Sequence, residues 1–229
     1  MRAKLTFTIG LLAVLVVGIV GFNYLNKSIN GSPSQITEIE KRLKREMEEK
    51  YDISIIDNVG YYTNDVGYTT TFTTEKDIHF DARNPPDGSV DFYMEEVFRK
   101  KGLDKWGYAD KYIMNVDTID LNVGYRLEEN KDIKQLTYSI EDVKDDLWLT
   151  IYIDLKDPFK DKRAKEIERG IYNYYQQLQK DDAEGVELVI RYNENHLKQD
   201  TGSYMITRNE DGVFPDINSV KSVSETFFK

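Results

Sequence analysis

The spacing of hydrophobic residues divides the chain into stretches of different period. Residues 5–26, LTFTIGLLAVLVVGIVGFNYLN, are apolar and carry no charge. Ile36, Ile39, Leu43 and Met47 then recur at helical spacing in a highly charged segment, which predicts an amphipathic helix. Thr37 and Glu40 have the spacing of a capping box at its start. Ile53–Ile56 reads as a short apolar strand. GYTTTFTT and DIHFDAR flank Glu75-Lys76-Asp77 and read as a hairpin, which Pro85, Pro86 and Gly88 end. Val90, Tyr93, Met94, Val97 and Phe98 form a second helical stripe, with Ser89 as its N-cap and Gly102 as its stop.

Beyond residues 104–115, where no period is clear, Ile119, Leu121, Val123 and Tyr125 alternate as in a strand. A short polar helix is expected near Ile140 to Lys144. DLWLTIYIDL has the cleanest alternation: Leu147, Leu149, Ile151, Ile153 and Leu155 face one way, and Trp148, Thr150, Tyr152 and Asp154 the other. The longest helical stripe follows, through Phe159, Ile167, Ile171, Tyr174, Tyr175 and Leu178. VELVIRY and SYMITRN are two more strands, and the tail is polar up to Phe227 and Phe228.

These elements predict an α+β fold: an N-terminal transmembrane helix, then an antiparallel sheet with helices packed on one face. The order helix, strand, hairpin in residues 36–83 resembles the order in residues 159–208, so a duplicated helix-strand-hairpin unit is possible. The expected organisation is an anchor at residues 1–26, a linker at 27–35 and a domain at 36–229, with possible halves 36–127 and 139–229.

As a helix, residues 5–26 would reach about 33 Å, enough for a bilayer core. A cleaved signal peptide is the rival reading, but its apolar region is usually about 7–15 residues long and ends at a small-x-small site. Arg2 and Lys4 place the N-terminus in the cytoplasm by the positive-inside rule and the domain outside the cell membrane, in a single-pass arrangement. Residues 1–30 hold three Lys or Arg and no acid, which leaves 28 cations against 41 acids, a net of −13. Such a domain is a poor partner for phosphate backbones, so no nucleic-acid binding is expected.

The absence of cysteine excludes disulfides, thiolate metal sites, a cysteine nucleophile and lipidation at an N-terminal cysteine. The two histidines, His79 and His196, show no metal-ligand spacing; His79 lies opposite Ile78 and Phe80 on its strand. Acid pairs such as Asp145-Asp146 and Asp181-Asp182 are what 41 acids produce on a solvated surface. Asn209, Asp211 and Gly212 only loosely follow a calcium loop, with Thr207 and Asn218 where that loop needs acids. No catalytic, cofactor-binding or metal-ligating residue is therefore predicted, and no cofactor. Sixteen tyrosines suit either core packing or a binding surface.

The Lys50-Tyr51 pair and the strand Ile78-His79-Phe80 resemble uncharacterised membrane-anchored proteins of Gram-positive bacteria. Asp81-Ala82 followed by Gly88 resembles the end of a PepSY module, a likeness that covers residues 36–90. The resemblance implies an extracytoplasmic inhibitory or interaction domain and supplies no catalytic residues. The function expected is a membrane-anchored, non-catalytic binding module for a protein or peptide. The alternatives are a carboxylate-based cell-surface hydrolase and an anchored domain facing the cytoplasm.

Overall fold

The computed structural model describes residues 31–85, 88–125, 139–157, 161–192, 202–209 and 211–228. The proposed anchor at residues 5–26, His196 and Phe159 lie outside them. Among the described residues, no helix is long and apolar enough to cross a membrane. The fold is α+β, and two compact units meet in sequence between Tyr93 and Met94.

In the first unit the amphipathic stripe folds as α1 (Pro33–Tyr51), burying Leu43, Met47 and Tyr51. Pro33 at the first helical turn and Ser32 before it set the start. Thr37 is therefore not a cap: its hydroxyl donates to the Pro33 carbonyl, 3.1 Å away inside the helix. The sheet is antiparallel throughout, in the order β1 (Ile55–Thr63), β2 (Gly67–Thr74), β3 (His79–Asn84), β4 (Val90–Asp91). Phe72 and Phe80 pair across β2 and β3 under the helix, their ring centroids 5.3 Å apart. Tyr93 adds an edge-on contact to Phe80 at 5.0 Å. A Cβ on Gly60 would stand 2.9 Å from Ile36 Cγ2, so the glycine lets α1 lie close on β1. Ser89 precedes strand β4 and caps no helix, and Val90, expected inward, is 47% exposed.

In the second unit α2 (Tyr93–Trp106) runs through Gly102, which was expected to stop it. The glycine is a packing residue, because a Cβ there would come within 2.2 Å of Leu121 Cδ2. A 3-10 turn, Ala109–Lys111, leads into β5 (Val116–Tyr125). The short helix α3 (Ile140–Val143) is held by a capping box between Ser139 and Asp142. Then follow β6 (Leu147–Leu155), α4 (Asp161–Lys180), β7 (Glu187–Tyr192), β8 (Ser203–Ile206), α5 (Val220–Ser224) and β9 (Phe227–Phe228). The five strands pair in chain order. All pairs are antiparallel except β6 with β7, which are parallel because α4 carries the chain back between them. The described residues thus form two sheets, where one antiparallel sheet was expected. From Met94 on, helix α2, with β5, belongs to the second unit.

The inward face of β6 is the centre of this unit. Leu121, Ile151, Leu188 and Ile206 form one cross-strand row, and Ile153, Ile190 and Tyr204 another. All seven are buried. Helix α4 buries Ile167, Ile171, Tyr174 and Leu178 and reaches this face through Glu168, whose carboxylate accepts from the Tyr204 hydroxyl at 3.3 Å. Tyr174 donates to the Trp106 carbonyl at 2.6 Å, and Trp106 Nε1 donates to the Asp181 carbonyl at 3.1 Å. Burial raises the Tyr174 hydroxyl well above the ordinary tyrosine range. Gly170 completes the closure, since a Cβ there would lie 2.6 Å from the Tyr112 carbonyl oxygen.

Candidate functional site

The side chains of β6 that point away from the core are Trp148, Thr150, Tyr152 and Asp154. Strand register extends this face across the sheet: Asp120, Tyr152, Val189 and Met205 form one row, and Thr118, Asp154, Arg191, Ser203 and Phe228 the next. Asn122, Thr150 and Glu187 form a third, and Gly124 lies beside Trp148. Trp148 is 46% exposed, Met205 38% and Phe228 59%. Thr150 and Val189 are buried between these groups, so the face is aromatic and partly open.

Its charged groups are held in place by one another. Arg191 forks onto Asp154, with Nε 2.7 Å from Oδ1 and Nη2 3.0 Å from Oδ2. The same guanidinium lies 4.8 Å from the Tyr152 ring centre. Thr118 adds a 3.0 Å hydrogen bond to Asp154 Oδ2. Glu187 accepts from the Thr150 hydroxyl and from the Arg208 backbone amide, both at 3.2 Å. The Arg208 guanidinium stands 5.5 Å from the Trp148 ring and 5.1 Å from the Phe214 ring. A planar cation over an aromatic face restrains both groups, so little side-chain entropy remains to be lost when a partner docks. Exposed Trp and Tyr with neighbouring Arg are the residue types that most often dominate binding at protein interfaces.

The first unit also has an outward sheet face. Register places Asp57, Thr73 and His79 in one row, Val59, Thr71 and Asp81 in the next, and Tyr61, Thr69, Arg83 and Val90 in a third. His79 is exposed, its Nδ1 3.0 Å from the Thr73 hydroxyl and its Nε2 3.2 Å from Asp77 Oδ1. Asp77 has a positive φ of 56° in the tight turn that the sequence predicts at Glu75-Lys76-Asp77.

Among the described residues, no group of three or more His, Asp or Glu could hold a metal ion. Asn209 organises a turn: its side-chain oxygen accepts from the amides of Asp211, at 3.0 Å, and Val213, at 2.8 Å. Asp181 is tied to Tyr108 and to Gln177, with its neighbour Asp182 lending a backbone carbonyl to Lys144. Desolvation and the hydrogen-bonded Asp181 raise the Tyr108 hydroxyl above the tyrosine range. The contributions of Val189, Arg191, Met205 and Phe228 to the open face do not stand out in the sequence. Each alternates correctly in its own strand, but only the parallel register of β6 and β7 brings them beside Tyr152. Compared with known protein families, characterised proteins and solved structures, the chain matches none.

Proposed function

We propose that the chain is a single-pass membrane protein whose extracytoplasmic domain is a non-catalytic interaction module. Residues 5–26 form the anchor, with the N-terminus in the cytoplasm, and the partner is a protein or peptide that docks on the open face of the second sheet. The observation that carries this reading is Trp148, left 46% exposed on a central strand among side chains already ordered by ion pairs and ring contacts. A monomer gains nothing by leaving its largest side chain in water, whereas an interface gains a rigid, desolvatable anchor. Helix α1 followed by the antiparallel pair β1 and β2, and α4 followed by the antiparallel pair β7 and β8, share an order of helix and antiparallel strands. That likeness supports a duplicated ancestral unit.

The test is site-specific photo-cross-linking in intact cells. A benzophenone side chain at Asn122, beside Thr150 on the open face, should trap a discrete protein. The same group at Lys165, exposed on α4, is the control. Equal yields of the same products from both positions would count against the proposed face. Protection of the domain from protease added outside intact cells would count against the orientation.

A further inference from the structure

The outward face of the first sheet holds three buried polar atoms without partners among the described residues, Thr63 Oγ1, Thr69 Oγ1 and Arg83 Nε, and the last two are cross-strand neighbours. Thr69 is only 2% exposed, and its hydroxyl makes no hydrogen bond among the described residues. Arg83 is its cross-strand neighbour on β3, and the buried Arg83 Nε is equally without an acceptor. Buried donors are normally satisfied, so two of them side by side mark the place of an acceptor that the chain itself does not supply.

The surroundings specify that acceptor. The Arg83 guanidinium lies over Phe92, 4.7 Å from the ring centre, which restrains it. Tyr61, on the edge strand β1 and 38% exposed, is the cross-strand neighbour of Thr69 on the other side. No described carboxylate forms an ion pair with Arg83. Asp81, two residues away on β3, is engaged elsewhere: it accepts from the Thr71 hydroxyl at 2.6 Å. Asp65 is exposed at the β1–β2 turn and only weakly attracted to Arg83. These two negative charges disfavour a dianion such as phosphate. A singly charged, planar group with two oxygens fits: one oxygen for the Nε edge of the guanidinium and one for the Thr69 hydroxyl.

We propose that Arg83 and Thr69 form a receptor for a single carboxylate, bordered by Tyr61 and Phe92. Rotation of the Tyr61 side chain, on an edge strand, opens the approach. The carboxylate comes either from a small free acid or from a peptide, and the two sources share this recognition chemistry.

The test uses the full chain in nanodiscs of zwitterionic lipid, with the Arg83 Nε–Hε resonance as reporter. Acetate should move that resonance saturably. Thr69→Val, which is nearly isosteric and breaks no bond of the free protein, should weaken the effect about tenfold, the worth of one hydrogen bond to a charged group. Acetyl-Ala-Ala-Phe with a free carboxylate and its amidated twin distinguish the sources. A peptide that binds about tenfold tighter than acetate, and fails when amidated, assigns the site to peptide carboxylates. Equal affinities for peptide and acetate assign it to small acids. No saturable shift with acetate or peptide, or a shift unchanged by Thr69→Val, overturns the proposal, and the pair then serves only to hold buried water.

Discussion

The two sheets are held to their helices by different means. In the first unit, polar contacts do much of the fastening. Asp91 has a side chain only 5% exposed and accepts from Lys50 Nζ and the Tyr51 hydroxyl, both at 2.7 Å. Lys44 donates to the Ile55 carbonyl at 2.8 Å, Glu48 accepts from the Ile55 amide at 3.1 Å, and Arg42 donates to Asn84. In the second unit, rows of aliphatic residues meet helix stripes, and polar contacts only close the corners. The difference follows from the sequence. Helix α1 buries three residues, too thin a stripe to hold a sheet by apolar area alone, whereas α4 and β6 offer continuous ladders. The first unit should therefore respond most to lost hydrogen bonds, and the second to lost volume.

The largest effect expected is in the second unit. Trp106 is fully buried, and Trp106→Ala should cost about 3–5 kcal/mol, read as a lower urea midpoint by Trp148 fluorescence. Both tryptophans follow Met94, so the signal belongs to this unit. A cost below about 1 kcal/mol would break the volume side of the comparison.

In the first unit, Asp91→Ala leaves Lys50 and Tyr51 without their shared acceptor and should cost about 1–3 kcal/mol. Amide hydrogen exchange at Phe72 and Phe80 reads the loss. Unchanged exchange would mean that the Phe72–Phe80–Tyr93 cluster holds the unit without its polar clasp.

The smallest effect concerns acid. Glu141 is held down to about 2 from an ordinary 4.5, first by the hydrogen bond from Lys105 and then by its own backbone amide. A carboxylate depressed on folding contributes stability above its unfolded value, and the contribution fades as pH falls from 4.5 towards about 2. Both side chains are partly exposed, so solvent screens the pair and the contribution is small. Lys105→Met should lower the second unit's stability slightly near neutral pH, with the difference from the parent chain vanishing near pH 2. A difference that persists there would assign the effect to packing.

Strong periodicity was the legible part of the fold. The alternation of β6, the stripe of α4 and the Thr74–Ile78 turn between β2 and β3 all follow from local patterns. Strand β1 was mostly hidden, because Asp57, Asn58 and Gly60 have poor strand propensity and are held in the sheet by pairing with β2. Gly102 and Ser89 were misread for a related reason. A glycine that makes room for Leu121 and a glycine that ends a helix look alike until the packing partner is known. The parallel pairing of β6 with β7 was equally out of reach, because strand partners are set by the whole sheet. For the candidate site, the sequence gives the β6 side of the open face and no more.

The most direct test is a paired measurement on β6. Ile151 lies in the buried row with Leu121 and Leu188, whereas Tyr152 is half-buried on the opposite face beside Arg191. Urea unfolding of the full chain, followed by tryptophan fluorescence, gives both costs on one scale. The account predicts a loss of about 2–5 kcal/mol for Ile151→Ala and at most about 1.5 kcal/mol for Tyr152→Ala, from its ring contact with Arg191. Equal losses would mean that both faces of the strand serve the fold, and no open face would remain for a partner.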